Sequence, residues 1–544
     1  MTRRFHFGAG ARALAVSLTF FASSVSAQEA KPVETVRLTL EEAVRRAIEH
    51  NPDLAIVRLA TDVETARVGE AQGAFKPLLS STFGRSSTAT PPSNSLLGTQ
   101  AIDTSELFSS TGARQRLRHG GGTWSVSWDA SRIATSNPFS SFEPSLQSGV
   151  LVAFSQPLFR DRKMDSARQQ CIVTTRNQES SQLRLRESVV QTVASVKHAY
   201  WTLKAAMANV TVQQRSLELA QDLVRQNRAR VDVGQVPPLD LVQAEAEVAQ
   251  RRENLIRAET AARDAEDRLR RLIMDPADTG FWRLRLAPVE EPMSASTPPD
   301  ADAAVARALD GRYDLARARQ DLSNADTNVQ FFGNQTLPDV RLEASYRGGG
   351  AGGTELLRTG PFPGVVTGQL NTGFGDVLGQ QFRHDFATWS VGVTMSYPLG
   401  RSSEKAGLAR AEIERKQAAH AIASLQLRIA ETIRQAARQV QSTTERIDAA
   451  RAGETLAAER FAVETRRFEA GLSTTFLVTQ AQRDLLQAQV SLLQAMLDHQ
   501  SALVDFEAVQ LAPVTAGDNV VISGSSIVVQ PPPAPKGVFR QGGS

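Results

Sequence analysis

The sequence predicts a mixed α and β membrane protein with an internal two-fold repeat, in which a β-barrel continues into long coiled-coil helices. Three observations predict it. The chain repeats itself at an offset of 261 residues. Each half carries strand-like segments with one apolar and one small polar face. Each half also carries a helical stretch whose apolar seam is too narrow for a globular core.

The repeat is visible residue by residue. Ala43-Val44-Arg45-Arg46-Ala47-Ile48 with Asp53-Leu54 returns as Ala304-Val305-Ala306-Arg307-Ala308-Leu309 with Asp314-Leu315, without a gap as far as Pro77 and Pro338. Each copy then leads through strands to a Pro-Leu exit, a long helix and a glycine turn. The expected organisation is a signal peptide at 1–27, a first repeat at 28–273, a linker at 274–300, a second repeat at 301–511 and a disordered Pro-rich tail at 512–544.

The N-terminus reads as an export signal. Arg3, Arg4 and Arg12 precede the apolar run from Ala13 to Ala22, and Val25-Ser26-Ala27 offers a small-residue cleavage site. Arg3-Arg4 is a poor twin-arginine match. Removing residues 1–27 takes three Arg from the 61 basic residues and no acid, so basic residues equal the 58 acidic ones. The pI of 9.1 therefore belongs to the precursor and gives no case for a nucleic-acid partner. Cys171 is the sole thiol, which excludes an intrachain disulfide. It also lies far from the cleavage site, which argues against N-terminal lipidation. Beyond the signal no run reaches the roughly 18 to 20 apolar residues of a spanning helix, so insertion into a membrane requires a closed barrel.

Leu40 to about Gly73 is expected to be helical, capped by Thr39, with Glu41 and Glu42 suiting the start of the helix dipole and Pro52 kinking or restarting it. Trp124, Val126, Trp128 and Ala130 alternate with Ser125, Ser127, Asp129 and Ser131. Trp389, Val391, Val393, Met395 and Tyr397 alternate with Ser390, Gly392, Thr394 and Ser396. Alternation alone also fits a half-buried strand in a soluble sandwich. The aromatic strand ends, the export signal and the lack of another large core favour a membrane barrel. About 160–233 and 403–470 read as helices on the order of 100 Å long. Their seams are Leu217, Ala220, Val224, Asn227, Val231 and, in the return helix, Leu486, Val490, Leu493, Leu497. Such helices pack side by side into a bundle or a hollow cylinder. Gly234 and Gly471 end the long helices, where a left-handed residue permits a tight reversal, and Pro237-Pro238 suits the start of a return helix.

Taken in order, these residues resemble the TolC family of outer-membrane efflux proteins. The resemblance rests on Leu38-Thr39-Leu40-Glu41-Glu42-Ala43 with Asn51-Pro52-Asp53-Leu54, on Ser155-Gln156-Pro157-Leu158-Phe159 and its echo Ser396-Tyr397-Pro398-Leu399, and on the two glycine tips. It covers roughly residues 38–511. It implies a homotrimer in which each protomer gives about four strands to one twelve-stranded barrel and two helical hairpins to a periplasmic tunnel. It also implies a periplasmic adaptor (membrane fusion protein) and an inner-membrane RND or ABC pump as partners, with outer-membrane lipid around the barrel. The tips Gly234, Gln235, Val236, Gly471, Leu472 and Ser473 are then candidate adaptor contacts, although the glycines serve equally well as plain turn residues.

Two departures stand out. The span from Pro77 to Pro157 holds 79 residues against 59 between Pro338 and Pro398, and the surplus around Arg118-His119-Gly120-Gly121-Gly122 reads as an extra hairpin. It is expected to elaborate the barrel without changing its strand count. Gly348 to Gly353 and the following thirty or so residues read as a flexible exposed loop. The second tip also lacks the acidic ring some family members carry, since no acid follows Gly471 until Asp484. An apolar constriction at Phe476 and Leu477, with Gln480 beside it, is expected instead.

Catalysis is not expected. The seven His are scattered, His384-Asp385 is a lone loop pair, and no nucleophile-elbow, phosphate-loop or zinc-protease motif occurs. No cofactor or metal is expected. The reading is a passive outer-membrane conduit for efflux or type I secretion, opened by an adaptor and an inner-membrane pump. The alternatives are a periplasmic coiled-coil adaptor or structural envelope protein, and a hydrolase on a coiled-coil stalk.

Overall fold

In the computed structural model, residues 35–513 are described apart from 93–99, 276, 293–297, 362, 363 and 401, together with 520–522 and 527–529. The expected signal peptide and most of the expected tail lie outside the described residues.

A short strand, β1 (Thr35–Leu38), leads to Thr39, whose hydroxyl accepts from the Glu42 N–H at 3.2 Å and starts α1 (Leu40–His50). Asn51 ends α1 and caps α2 (Pro52–Gly73) by accepting from Leu54 N–H, so Pro52 restarts the helix rather than bending it. Four strands follow: β2 (Leu78–Thr90), β3 (Ile102–Arg116), β4 (Thr123–Thr135) and β5 (Phe142–Pro157). Asp165 then caps the 67-residue α3 (Ser166–Asp232), and α4 (Pro238–Ile273) returns. The linker adds β6 (Arg285–Pro288), which pairs in parallel with β1.

The second half follows the same plan. Asp300, one repeat offset from Thr39, caps α5 (Ala301–Gly311), and α6 (Tyr313–Gln335) mirrors α2. Then come β7 (Asp339–Thr359), β8 (Val365–Thr372), the short α7 (Phe374–Arg383) and β9 (Phe386–Ser396). The 67-residue α8 (Ser403–Glu469) and α9 (Thr475–Val509) complete the hairpin. Each long helix, at ~1.5 Å per residue, runs on the order of 100 Å. The upper part of each packs on the short helix before the strands and the lower part on its return helix: α2 and α4 along α3, α6 and α9 along α8.

The largest apolar cluster lies midway along this shaft, where α1, α3, α4, β6 and α9 meet. Tyr200 is its centre: fully buried, it donates to the Leu38 carbonyl at 3.1 Å and accepts from Glu290 N–H at 3.2 Å. The α3 seam buries Ala220, Leu223 and Asn227, while Leu217, Val224 and Val231 sit half-buried beside it. In α9, Leu486, Val490 and Leu497 are buried as expected.

Two expectations need correction. The sheet has seven strands rather than about four, in the order β2-β3-β4-β5-β7, with β8 and β9 sharing the far edge of β7. The surplus β3–β4 hairpin is therefore inserted into the hydrogen-bonded wall, not hung outside it. The segment from Gly348 is not a loop, because the glycine run is part of β7, which continues to Thr359 and is followed by β8 and α7. Within the tail, Val520–Ile522 (β10) and Ile527–Val529 (β11) pair antiparallel.

Candidate functional site

The strand registers sort the sheet into two faces. One row across the wall reads Leu79, Ala113, Val126, Val152, Tyr346, Trp389, each directly opposite the next. The adjacent row reads Leu78, Arg114, Ser125, Ala153, Ser345, Ser390. Arg114, Ser125, Ser155, Glu343, Ser345 and Ser390, drawn from five strands, line one cavity, so the polar face is concave. The apolar face is then convex. Trp389 is 73% exposed there and Phe83 76%, a surface that a soluble chain would bury. An apolar outside around a polar inside is the arrangement of a membrane barrel.

The glycine run of β7 has a packing role. A Cβ at Gly350 would lie 2.0 Å from the Val377 carbonyl oxygen, and one at Gly352 would lie 2.7 Å from a Val377 methyl. Only glycine lets α7 lie against the strand. Gly350 pairs with Ser148 in the same register as the apolar row, so α7 sits on the convex side. Ser148 Oγ donates to Gln381 Oε1 and accepts from Trp128 Nε1, both at 2.9 Å, fixing the helix over β5 and β7. His384 is the left-handed cap of α7 (φ 62°), edge-on to Tyr346.

At the opposite end of the shaft the two hairpin tips come together. Gly234 (φ 76°) and Gly471 (φ 75°) take the left-handed conformation, and nothing lies within 4 Å of a Cβ built on either. Their requirement is therefore conformational, not steric. Gln235 and Leu472 are exposed while Val236 and Ser473 are partly covered. The Ser473 hydroxyl bonds the Glu464 carboxylate across the turn. Phe476 is 64% exposed and Leu477 is also exposed. Gln480 donates to Asp484 at 2.8 Å.

The contacts joining the tips come from other residues. Phe468 of α8 is buried with Leu223 of α3 and Val478 of α9. Arg230 stacks its guanidinium 4.1 Å from the Phe468 ring centre and donates to the Phe468 carbonyl at 2.9 Å. The Thr475 hydroxyl donates to Asn227 Oδ1 at 3.2 Å. Further up, Arg483 of α9 holds Glu247 of α4 at 2.5 Å, with Arg251 on the same carboxylate. Burial would raise the Glu247 carboxyl, but the Arg483 hydrogen bond and the charges of Arg251 and Arg483 outweigh it and hold it below the ordinary range. The only sequence signal for this cluster is Phe468 standing where the first repeat has Val231.

A curled sheet with apolar outer and polar inner faces, standing on paired helical hairpins, defines an outer-membrane channel with a periplasmic shaft. The outer membrane efflux protein family matches residues 43–273 and 304–509, and the chain belongs to that family. The two matched segments coincide with the two repeats. Similar solved structures include a membrane protein from Pseudomonas aeruginosa (TM-score 0.62, 15% identity, covering 87% of this chain and 90% of that one). The CmeC outer membrane channel of Campylobacter jejuni (0.62, 15%, 87% and 85%) and the outer membrane protein VceC of Vibrio cholerae (0.61, 16%, 87% and 96%) are alike in fold. No curated protein matches the chain.

Proposed function

We propose that three copies of this chain form a passive conduit from periplasm to exterior, closed at the hairpin tips until an adaptor and an inner-membrane RND or ABC pump engage them. The observation that carries this reading is the pair of tips held together by contacts that can part. Arg483–Glu247, Arg230–Phe468 and Thr475–Asn227 all cross from one hairpin to the other. None of these contacts lies within a hairpin, so swinging α8–α9 away from α3–α4 breaks them and leaves each hairpin intact.

The tip residues Gly234, Gln235, Val236, Gly471, Leu472 and Ser473 are then the surface an adaptor reaches first. Exposed Phe476 and Leu477 would meet their counterparts around a three-fold axis, making an apolar constriction beside Gln480. Small molecules or proteins would pass, with selection left to the pump. The chain's part in this is mechanical, without catalysis.

Planar-bilayer recording tests the constriction. Phe476→Ala with Leu477→Ala raises the single-channel conductance several-fold if these side chains narrow the path; unchanged conductance places the constriction elsewhere.

A further inference from the structure

The hairpin β3–β4 lies inside the hydrogen-bonded wall, between β2 and β5. Its registers run unbroken from Thr104 opposite Thr135 at the rim to Arg116 opposite Thr123 at the root. Its neighbours β2 and β5 pair with it over nearly the same height. The hairpin therefore spans the full wall. Its root turn is seated at the base of the wall, where β5 gives way to α3: Leu117 N–H donates to Gly122 O at 2.7 Å, and Gln156 Nε2 donates to Gly120 O at 2.8 Å. A Cβ at Gly121 would lie 2.5 Å from the Asp161 carbonyl oxygen, where Arg168 also bonds. Gly120 and Gly121 have φ of 73° and 70°, so this tight seat needs glycine twice. Both faces continue through the hairpin, with Ala113 and Val126 outward and Arg114 and Ser125 inward.

The wall of one chain thus has six lanes, since β8 and β9 occupy one lane in succession along β7. Its two open edges are β2 and β9, exposed along almost their whole length. With six antiparallel lanes, these edge strands run in opposite directions. An open edge cannot stand in lipid, and β9 of one copy can continue antiparallel into β2 of the next.

We infer, on the trimer reading above, that the barrel closes with eighteen strands and passes hydrophilic solutes too bulky for the twelve-stranded barrel implied by the resemblance. At about 4.8 Å between strands and a tilt of about 40°, the backbone diameter is about 36 Å, against about 24 Å for twelve strands. The concave wall carries Glu106, Arg114, Asp129, Glu343 and Arg347 among Ser, Thr and Gly, with Leu78, Phe108 and Phe386 as apolar interruptions of a largely hydrophilic lining. The helix α7 lies on the convex side and leaves this lumen open.

Two measurements test the inference. Electron cryo-microscopy of the unaltered protein extracted in detergent is expected to show a trimer with eighteen strands. A trimer with twelve, the β3–β4 hairpin displaced from the wall, overturns this inference alone; the absence of a trimer overturns the reading beneath it. In bilayers, poly(ethylene glycol) added from the outer side enters the unaltered barrel up to a radius about 1.5-fold larger than in a variant lacking residues 102–135. Equal limits in the two proteins overturn the inference. Should the variant fail to assemble, the strand count of the unaltered chain decides.

Discussion

Glu247 shows how a single carboxylate can hold the tips. Its folded pKa lies below the ordinary value because Arg483 and Arg251 outweigh its burial. A depressed carboxyl stabilises the contact above its unfolded pKa, and the stabilisation is lost as pH falls through the folded value. Conductance of the unaltered channel should thus stay flat from neutral pH to the ordinary carboxylate range of about 4 and rise only below it. Glu247→Gln or Arg483→Ala should raise conductance already at neutral pH, and a flat response to either change would remove the pair from the gate. The tip glycines make a separate prediction. Gly234→Ala and Gly471→Ala force a Cβ into the left-handed region at about 1 kcal/mol each. Trypsin should then cut faster at Arg230 or at Arg466 and Arg467, while the barrel remains protected; an unchanged cutting rate would mean the turns relax at no cost.

At the scale of the element, what could be read from sequence was what is local. Thr39 as a cap, Pro52 as a kink or restart and Gly234 and Gly471 as helix ends follow from neighbouring residues alone. The two long helices follow from the absence of Pro and the rarity of Gly over some seventy residues. Partners far along the chain left no such trace. Gly348 to Gly353 resembles a loop because the helix it seats begins some twenty residues later. Arg230 reads as one more solvated arginine because Phe468 lies 238 residues away. The β3–β4 hairpin was visible as strands, but its place in the wall depends on pairing that alternation does not encode. The seat of α7 can be tested directly. In a Cys171→Ser background, Val377→Cys should resist a water-soluble maleimide, and adding Gly350→Val should expose it. Equal labelling would show that α7 does not need the glycine seat.

At the scale of the whole molecule, the repeat explains the architecture and its asymmetries explain the function. Each half supplies a helix pair of matching length, so the two hairpins reach the same depth and their tips can meet. The halves differ in the wall, where the first gives four lanes and the second two. They also differ at the tips, where the second presents apolar Phe476 and Leu477 without an acid until Asp484. On the proposed reading, the first difference bears on what can leave, the second on what keeps the path shut. Both matter only if the chain assembles in the outer membrane, since a lone six-lane sheet has two bare edges. The most direct measurement is the native mass of the detergent-extracted protein from separated membrane and periplasmic fractions. The account predicts three chains, recovered from the outer membrane; a monomer recovered from the soluble periplasmic fraction would contradict it.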